Sequence, residues 1–267
     1  MHLPGLITVT SEQIELKEQA SKLLAQRSLT EPWMKTFLEG IKCNESQKAE
    51  YALLKYTKLV EMGSNAGRVF STINGTGALI AYRHSEQEFD NEYYEGEACK
   101  YAEKHCSLDS NHRYLITSQQ AIMAPVSDFG WEEEFTGGAD FLHLVCAATT
   151  DNSKASLESL LKPLMDYADA NKLALFTECF GDDDQALFES LGFDTLQMLE
   201  TEMPTKLSID FGENAPKMTQ QDIFRELENL GAGGAKAEAA MGGMKLKKET
   251  VPFSERMMGR RPQFHLK

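Results

Sequence analysis

The sequence predicts a mixed α/β fold, in which helices flank a mixed central sheet. Three observations lead to this class. The first third of the chain shows mainly helical spacing of apolar residues. The pair Asn74-Gly75 then separates two strand-like runs, which is the strongest short signal for a hairpin. From Asp140 onward the pattern alternates as β-α-β-α-β-β. The 267 residues, 42% of them hydrophobic, are enough for one large or two small domains.

The N-terminal third is predicted to form one short strand and then helices. The strand, "LITVT" (Leu6–Thr10), is rich in β-branched residues. A helix follows, for which Thr10 or Ser11 is the expected cap. Pro32 lies in the first turn of the second predicted helix, as is common for proline. Beyond the hairpin, we expect a helix over Glu92–His105 and a strand within "HRYLITSQQAIM".

The clearest predicted unit begins at Asp140. The run "DFLHLVCAA" is nearly continuously apolar, which indicates a strand buried on both faces. A helix over Ser156–Asn171 follows a turn, and Pro163 is expected to disturb it. Next come a strand in "KLALFTECF" and a short helix in "DDDQALFESLGF", which ends at Gly192. The runs "TLQMLETEM" and "KLSIDF" are predicted to form a terminal hairpin, which completes a domain over residues 1–211.

Residues 212–267 are predicted to form a C-terminal helix and a flexible tail. Thr219 is the expected cap of the helix, and "GAGGAKAEAAMGGMK" has the Gly/Ala-rich composition of a flexible segment. The chain has a net charge of −14, yet residues 235–267 contain eight basic and three acidic residues. This basic tail is expected to attract the acidic body, to dock on a protein partner or to stay solvated. Its alternating basic and apolar anchors are Met257, Met258, Arg260, Arg261 and Phe264.

Composition argues against several functional classes. A strongly acidic chain is poorly suited to general binding of nucleic acid or of anionic membranes. The five cysteines are an odd number without zinc-type pairs, so no metal site is predicted and a reducing compartment is expected. The N-terminus lacks the pattern of a secretory signal, and no apolar run approaches the roughly 18 residues of a membrane span. The expected location is therefore intracellular, in the cytoplasm.

From Leu6 to Phe211 the order of elements and the local text resemble the GNAT (Gcn5-related N-acetyltransferase) superfamily. The phrases "LLKPLMDYADANK" and "FESLGF" carry this resemblance best, within Asp140–Phe193. It implies a domain that uses acetyl-CoA as co-substrate and transfers the acyl group to an amine by direct attack. In that fold two parallel strands separate, and the pantetheine arm binds between them like an extra strand. The implied contacts on the first strand are Val145, Cys146 and Ala147, with the N–H near Cys146 polarising the carbonyl.

The resemblance also implies a diphosphate-binding turn at the N-terminus of the following helix, where backbone N–H groups favour anions. The family pattern Gln/Arg-x-x-Gly-x-Gly/Ala falls on Asn152, Ser153, Lys154, Ala155, Ser156 and Leu157. The pattern is degraded, because Ala155 replaces the first Gly and Leu157 replaces a small residue. Lys154 and the two serine hydroxyls still suit a phosphate. The alternative is a capped helix without a ligand, with Ser153 or Ser156 as the cap.

Catalysis would need a proton donor and a general base. Many family members carry a Tyr that protonates the departing thiolate, but here the position is Phe188, which has no proton to donate. Glu178 and His143, on neighbouring predicted strands, are the candidate bases, and His143 is alternatively a hydrogen-bonded core residue. The acidic and aromatic loop around Glu132–Glu134 suits either a cationic amine or plain solvation.

Two functional hypotheses result. The first is a GNAT-type N-acyltransferase whose acceptor is a cationic small molecule or a Lys-bearing protein. The second is a catalytically inactive GNAT-fold subunit that docks on a protein partner through residues 235–267. The order of elements favours the first, whereas the lost glycines and Phe188 favour the second.

Overall fold

A computed structural model of the chain describes residues 1–39, 44–86, 91–106, 108–127, 135–211, 219–229 and 244–263. Its strands are β1 (Leu6–Thr8), β2 (Val69–Thr72), β3 (Gly77–Arg83), β4 (Phe141–Thr149), β5 (Ala174–Cys179), β6 (Asp194–Asp210) and β7 (Lys245–Arg260). The helices of the same ranges are α1 (Ile14–Ser28), α2 (Pro32–Glu39), α3 (Glu45–Asn65), α4 (Asn91–Cys106), α5 (Ser110–Ser127), α6 (Lys154–Asn171), α7 (Asp182–Ser190) and α8 (Gln220–Asn229). None of these helices is long and apolar enough to cross a membrane.

The described strands form one seven-stranded sheet in the order β1-β2-β3-β4-β5-β7-β6. Strands β4 and β5 are parallel, and every other neighbouring pair is antiparallel. One face carries a core with α1 to α3, which includes Phe37 and Leu59. Another core lies against α6 and includes Leu161 and Leu164. This mixed sheet flanked by helices confirms the predicted fold class.

The predicted hairpin at Asn74-Gly75 is confirmed. Strands β2 and β3 pair antiparallel, with Val69 opposite Ile80. Gly75 has a φ of +69°, in the left-handed region that glycine adopts without strain. A side chain there would also meet Gln19 of α1, whose amide oxygen lies 2.0 Å from the position of a Cβ. Glycine is therefore required by the turn, and the end of the Gln19 side chain would have to move to admit a larger residue.

The segment "HRYLITSQQAIM" forms part of α5, so the strand predicted there is wrong. Its β-branched and aromatic residues favour a strand locally, but tertiary contacts decide otherwise. Tyr114 and Leu115 are buried in a cluster with Phe224 of α8 and Ile209 of β6. The hydroxyl of Thr117 donates to the carbonyl four residues earlier, which satisfies it within the helix.

The predicted terminal hairpin after Gly192 is also wrong, because residues 194–210 form the single long strand β6. Pro204 lies between the two runs, and proline has no N–H for the sheet. The pairing of β6 with β7 instead becomes irregular between Pro204 and Lys206. This irregularity accommodates the proline, so that the strand continues to Asp210 with β7 as its partner.

The flexible basic tail is the largest correction. Residues 245–260 are strand β7, which lies between β5 and β6 and pairs with both. Met257 and Met258 are buried, and Arg260 forms an ion pair with Asp169 of α6 at 2.8 Å. These anchors therefore belong to the core and not to a docking surface, and residues 244–263 belong to the same sheet as residues 1–211. Residues 230–243 and Phe264 lie outside the described residues.

Candidate active site

A cavity of about 700 Å³ opens where β4 and β5 separate. Its wall is built from residues of α1 to α7 and of strands β4, β5 and β7. A volume of this size suits a small molecule or part of a cofactor-sized ligand. The parallel pairing of the two strands stops at Leu144 and Thr177, beyond which no Cα register joins them. The hydroxyl of Thr177 donates to the carbonyl of Leu144 at 3.0 Å, at the inner end of this separation.

A bulge on β4 coincides with the separation. Ile80 of β3 lies opposite Cys146, whereas the next residue, Ala81, lies opposite Leu144. Val145 is therefore the extra residue on β4. Such a bulge increases local twist and changes the direction of a strand, and bulges are common beside active sites. Val145, Cys146 and Ala147, the predicted contacts, all line the cavity.

Two carboxyl groups line the cavity from neighbouring strands β5 and β7. Glu178 lies opposite Met257, and Glu255 lies two residues further along β7, so both side chains are on the same face of the sheet. Glu255 is 0% exposed, and among the described residues neither of its carboxyl oxygens has a hydrogen-bond partner. Burial, and then the charges of Glu178 and Glu95, raise the pKa of Glu255 to about 9. Glu255 therefore holds a proton at neutral pH.

A buried ion pair lies on the helical side of the cavity. The ammonium group of Lys55 (α3) is 3.0 Å from a carboxylate oxygen of Glu95 (α4) and 4.3 Å from the centre of the Trp33 ring. Burial alone lowers the pKa of Lys55, but Cys99 and Glu95 more than offset it, so the pKa is raised overall. Lys55 is therefore a permanent cation whose charge is matched by Glu95.

A second polar group joins α1, α2 and α7 at the cavity wall. The indole N–H of Trp33 donates to Glu31 at 2.5 Å, and the guanidinium of Arg27 lies 3.4 Å from the other oxygen of Glu31. Arg27 also bonds to Asp184. Burial raises the pKa of Glu31 in spite of the hydrogen bond from Trp33 and the charge of Arg27. This cluster fixes the helices around the cavity and leaves Arg27 fully engaged.

The thiol of Cys146 lines the cavity but is not an activated nucleophile. Burial, followed by the charges of Glu31 and Glu95, raises its pKa well above the usual value. Since the thiolate is the reactive form, a thiol held protonated is inert at neutral pH. Cys146 is therefore not suited to form a covalent intermediate.

His143 does not line the cavity. It lies on the still-paired part of β4, opposite Phe176 and Tyr82. Its Nδ1 is 2.9 Å from the hydroxyl of Tyr82. Burial is the main cause that lowers the pKa of His143 to about 4. The charge of Glu95 acts in the opposite direction, and the charge of His84 adds a smaller lowering. The structure thus brings Glu178 to the cavity and keeps His143 in a partly buried, hydrogen-bonded position outside it.

The turn before α6 has the capped arrangement. Ser153 is the N-cap, and its hydroxyl accepts from the N–H of Ser156 at 3.2 Å. Asp151 accepts from the N–H of Ser153 at 3.1 Å and from the hydroxyls of Ser153 and Ser156 at 3.1 and 3.0 Å. The hydrogen bond from the N–H of Ser153 makes the largest contribution to lowering the pKa of the Asp151 carboxyl. A carboxylate of this chain therefore already uses donors that the resemblance assigns to a diphosphate.

The other residues of the predicted turn divide between two environments. Asn152 has a φ of +45°, a conformation in which asparagine is tolerated, and its side chain accepts from the N–H of Thr149. Lys154 is exposed and lies 3.7 Å from Glu158, one turn along α6. Ala155 and Ser156 border a second cavity of about 600 Å³, whereas the buried side chain of Leu157 lines the main one.

Phe188 lines the main cavity and packs edge-on against Phe193, with ring centres 5.2 Å apart. It supplies an apolar surface where the family resemblance expects a phenol. The acidic loop at Glu132–Glu134 lies outside the described residues. Within the described ranges, no group of three or more His, Cys, Asp or Glu residues is arranged to hold a metal ion.

Sequence reasoning missed Glu255, Glu95, Glu31 and Lys55. Glu255 had a detectable signal, because Phe253, Glu255 and Met257 alternate with a period of two, as in a strand. The neighbouring Arg256 and the Gly/Ala-rich run before it concealed that signal. Glu95 and Lys55 look like ordinary exposed positions of helices. Only the packing of α3 against α4 places them together.

No known protein family matches the chain, and no curated protein is similar to it in sequence. Among solved structures, the chain is similar to a Drosophila melanogaster polyamine N-acetyltransferase that catalyses the formation of N-acetylagmatine, with 13% identity and a TM-score of 0.44. It is also similar to a mosquito arylalkylamine N-acetyltransferase-like protein, with 11% identity and a TM-score of 0.41. Each match covers 96% of this chain and 98% of the other. Neither similarity bears on what this chain acts on.

Proposed function

We propose that this protein transfers an acyl group from an acyl thioester, with acetyl-CoA as the donor, to an amine bound in the main cavity. The observation that carries the proposal is the separation of the parallel strands β4 and β5 beside a cavity lined by Glu178 and Glu255. A gap between parallel strands leaves backbone groups at its edges, and these suit the amides of an extended pantetheine arm. The bulge at Val145 lies on β4 beside that gap.

The walls of the gap fit the arm and the thioester. Val145, Ala147, Leu157 and Phe188 give apolar surface, and the described part of the wall places no permanent cation between the strands. A backbone N–H of β4 near Cys146 is the proposed donor to the thioester oxygen. Such a donor stabilises the negative charge that develops there during acyl transfer.

The chemistry is a direct displacement. The amine nitrogen attacks the thioester carbonyl, so that a C–N bond forms and the C–S bond breaks. The amine loses one proton to a base of the protein, and the departing thiolate gains one proton. Phe188 has no proton to give, so water entering through the cavity mouth is the proposed source. The products are an amide and the free thiol.

Glu178 is the proposed base. It lies at the open end of β5, next to the place where the amine must reach the thioester, and it lines the cavity. Glu255, behind it on β7, holds a proton at neutral pH and is therefore not the first acceptor. His143 remains a second candidate from the sequence, but its bond to Tyr82 and its absence from the cavity wall favour Glu178.

The turn at Asn152–Leu157 is poorly suited to bind the diphosphate of acetyl-CoA. With Asp151 bonded to Ser153 and Ser156, a diphosphate at this helix terminus would meet a negative charge and engaged donors. The proposed binding energy of the donor therefore comes mainly from the pantetheine arm in the gap. A contribution from the diphosphate requires Asp151 to turn away.

The position of Asp151 also supports a second candidate function, in which the protein binds a thioester or an amine but does not catalyse acyl transfer. Asp151 and Phe188 are both changes from what catalysis on acyl-CoA ordinarily uses. This second function no longer includes docking through residues 235–267 by way of Met257, Met258 and Arg260, because those side chains are buried in β7.

A single assay separates the two functions. The full chain is incubated with acetyl-CoA and a panel of primary amines, and the N-acetylated products are measured by mass spectrometry. We expect acetylation that falls by about 10²- to 10⁴-fold in Glu178→Gln, the usual loss when a general base is removed. Glu226→Gln, an exposed residue of α8, is the matched control. Binding of acetyl-CoA without any product would support the second function, and absence of both would reject the proposal.

A further inference from the structure

We propose that the helical side of the main cavity holds the alkyl chain of the donor's acyl group, so that the protein takes acyl thioesters with medium-length, uncharged chains as well as acetyl. This inference deepens the proposed function, because it names the class of acyl group that the same cavity accepts. It rests on the proposed function for the position of the thioester on β4.

The cavity is larger than an acetyl group requires. Its volume is about 700 Å³, whereas an acetyl group has only a methyl group beyond the thioester carbonyl. Pockets of this size bury most of the surface of a drug-sized molecule. With the pantetheine arm in the gap between β4 and β5, the space between β4 and the helices is left for another part of the ligand.

The side chain of Cys146 faces this space. It packs against the core that β4 shares with α1 to α3, whereas the next residue, Ala147, packs against the core at α6. Besides burial, the charges of Glu31 and Glu95 raise the pKa of the Cys146 thiol, so both side chains lie on the side that Cys146 faces. Since the N–H near Cys146 is the proposed partner of the thioester oxygen, the carbon chain of the acyl group would begin at this wall.

Apolar side chains line the wall opposite Cys146. Phe37 of α2 and Tyr56 and Leu59 of α3 border the cavity and are at most 5% exposed. Met123 of α5 also borders the cavity and packs against the same core. An alkyl chain placed against these side chains is removed from water, which is favourable in proportion to the apolar area buried.

The charged side chains on this side of the cavity already have partners. Lys55 pairs with Glu95 at 3.0 Å. Arg27 lies 3.4 Å from Glu31 and also bonds to Asp184. An acyl group with its own carboxylate, such as succinyl, would have to break one of these pairs and leave a buried charge without its partner. An uncharged alkyl chain leaves the pairs intact and is therefore favoured.

Gly96 of α4 borders the same space. A Cβ at this position would meet no atom within 4 Å, and the residue does not have a positive φ. Neither packing nor backbone conformation therefore requires glycine there, although glycine inside a helix is destabilising relative to alanine. A larger residue at position 96 would narrow the cavity without displacing the core.

The experiment is calorimetric titration of the full chain with acetyl-, butyryl- and hexanoyl-CoA, without any amine. Each methylene that is buried should tighten binding by about 3- to 4-fold, so hexanoyl-CoA should bind about 10- to 100-fold more tightly than acetyl-CoA. The heat-capacity change of binding should also become more negative along the series, as burial of apolar surface requires.

Gly96→Leu tests where the chain lies. The variant should lose most of the gain for hexanoyl-CoA, while its affinity for acetyl-CoA should stay within about 2-fold of the wild type. Leucine forms helices better than glycine does, so we expect the variant to fold. Lys100→Leu, on the exposed side of α4, is the matched control and should bind the whole series as the wild type does.

Two results would overturn the inference. Equal affinities of the wild type for acetyl- and hexanoyl-CoA would mean that the chain stays outside the cavity, and this test holds even where the variant does not fold. A gain that persists in Gly96→Leu would mean that the chain binds another apolar surface. Failure of the proposed function looks different, because the gain with chain length would persist in the wild type while no acylated amine is formed.

Discussion

The carboxylate of Asp151 accepts a hydrogen bond from the backbone N–H of Ser153 at 3.1 Å, at the N-terminus of α6. Its other oxygen accepts from the hydroxyls of Ser153 and Ser156. An anion supplied by the chain thus stands where a helix N-terminus attracts external anions. This contact makes the interaction with a diphosphate directly testable.

Asp151→Asn should strengthen the binding of CoA by about 2- to 5-fold at low ionic strength, since a negative charge at the helix terminus is removed. Pantetheine lacks the diphosphate, and its affinity should stay the same. Calorimetric titration of both ligands measures the difference. Asp166→Asn, on the exposed side of α6, is the control. An equal gain for pantetheine would mean that Asp151 acts on the gap between the strands and not on the diphosphate.

Glu255→Gln should stabilise the folded protein at alkaline pH. The folded-state pKa of about 9 is above the ordinary value of 4.5, so the folded state binds more protons than the unfolded state between these values. The free energy of unfolding of the wild type therefore falls as the pH rises from about 4.5 to 9. The variant lacks this loss and should be more stable by about 1 to 3 kcal/mol at pH 9, with little difference at pH 4.

Urea unfolding at several pH values measures this difference. A stability gap between Glu255→Gln and the wild type that is constant from pH 4 to 9 would contradict the role given to the titration of Glu255.

His143→Gln should change stability in the opposite part of the pH range. The pKa of His143 is lowered to about 4 in the folded state from an ordinary 6.5, so the unfolded state binds more protons between these values. The wild type therefore loses stability as the pH falls from 6.5 to 4, and the variant should lose less over that interval. Thermal unfolding at pH 7 and pH 4.5 checks this, with His2→Gln as an exposed control. If His143 were the catalytic base, the variant would also lose activity at pH 8, which we do not expect.

Arg260→Ala should destabilise the protein by about 3 to 5 kcal/mol, because it removes the guanidinium that neutralises the largely buried carboxylate of Asp169. The guanidinium donates twice to that carboxylate at 2.8 Å, and both side chains are largely buried. Lys206→Ala removes an exposed ion pair on β6 and should cost less than about 1 kcal/mol. Denaturant unfolding of both variants gives the comparison, and equal losses would show that the Arg260 pair is not specially important.

A chain that ends at Phe211 should not fold. It lacks β7, which separates β5 from β6 and supplies Phe253, Met257 and Met258 to the core. Circular dichroism and thermal unfolding of the truncated chain test this expectation. A cooperative transition equal to that of the full chain would mean that residues 1–211 form an independent domain.

The sequence by itself determined the elements whose signals are local. The Asn74-Gly75 hairpin, the buried strand at Asp140–Ala148 and the helix from Ser156 depend on turn chemistry and on the periodicity of apolar residues. The family resemblance, and not a local signal, pointed to Val145, Cys146 and Ala147 of this strand, and all three line the cavity. The structure contains these elements as predicted, because the turn residues and apolar spacing that favour each one lie within a short stretch of the chain.

Only the tertiary structure decided the position of residues 245–260 and the composition of the cavity. A strand that pairs with partners more than 30 residues away has no local partner to reveal it, and the charges of Glu255 and Arg256 made it resemble a solvated tail. The carboxyl pair of Glu178 and Glu255 likewise exists only because β7 inserts beside β5. The raised pKa of Glu255 is a property of that burial, which no short stretch of the sequence contains.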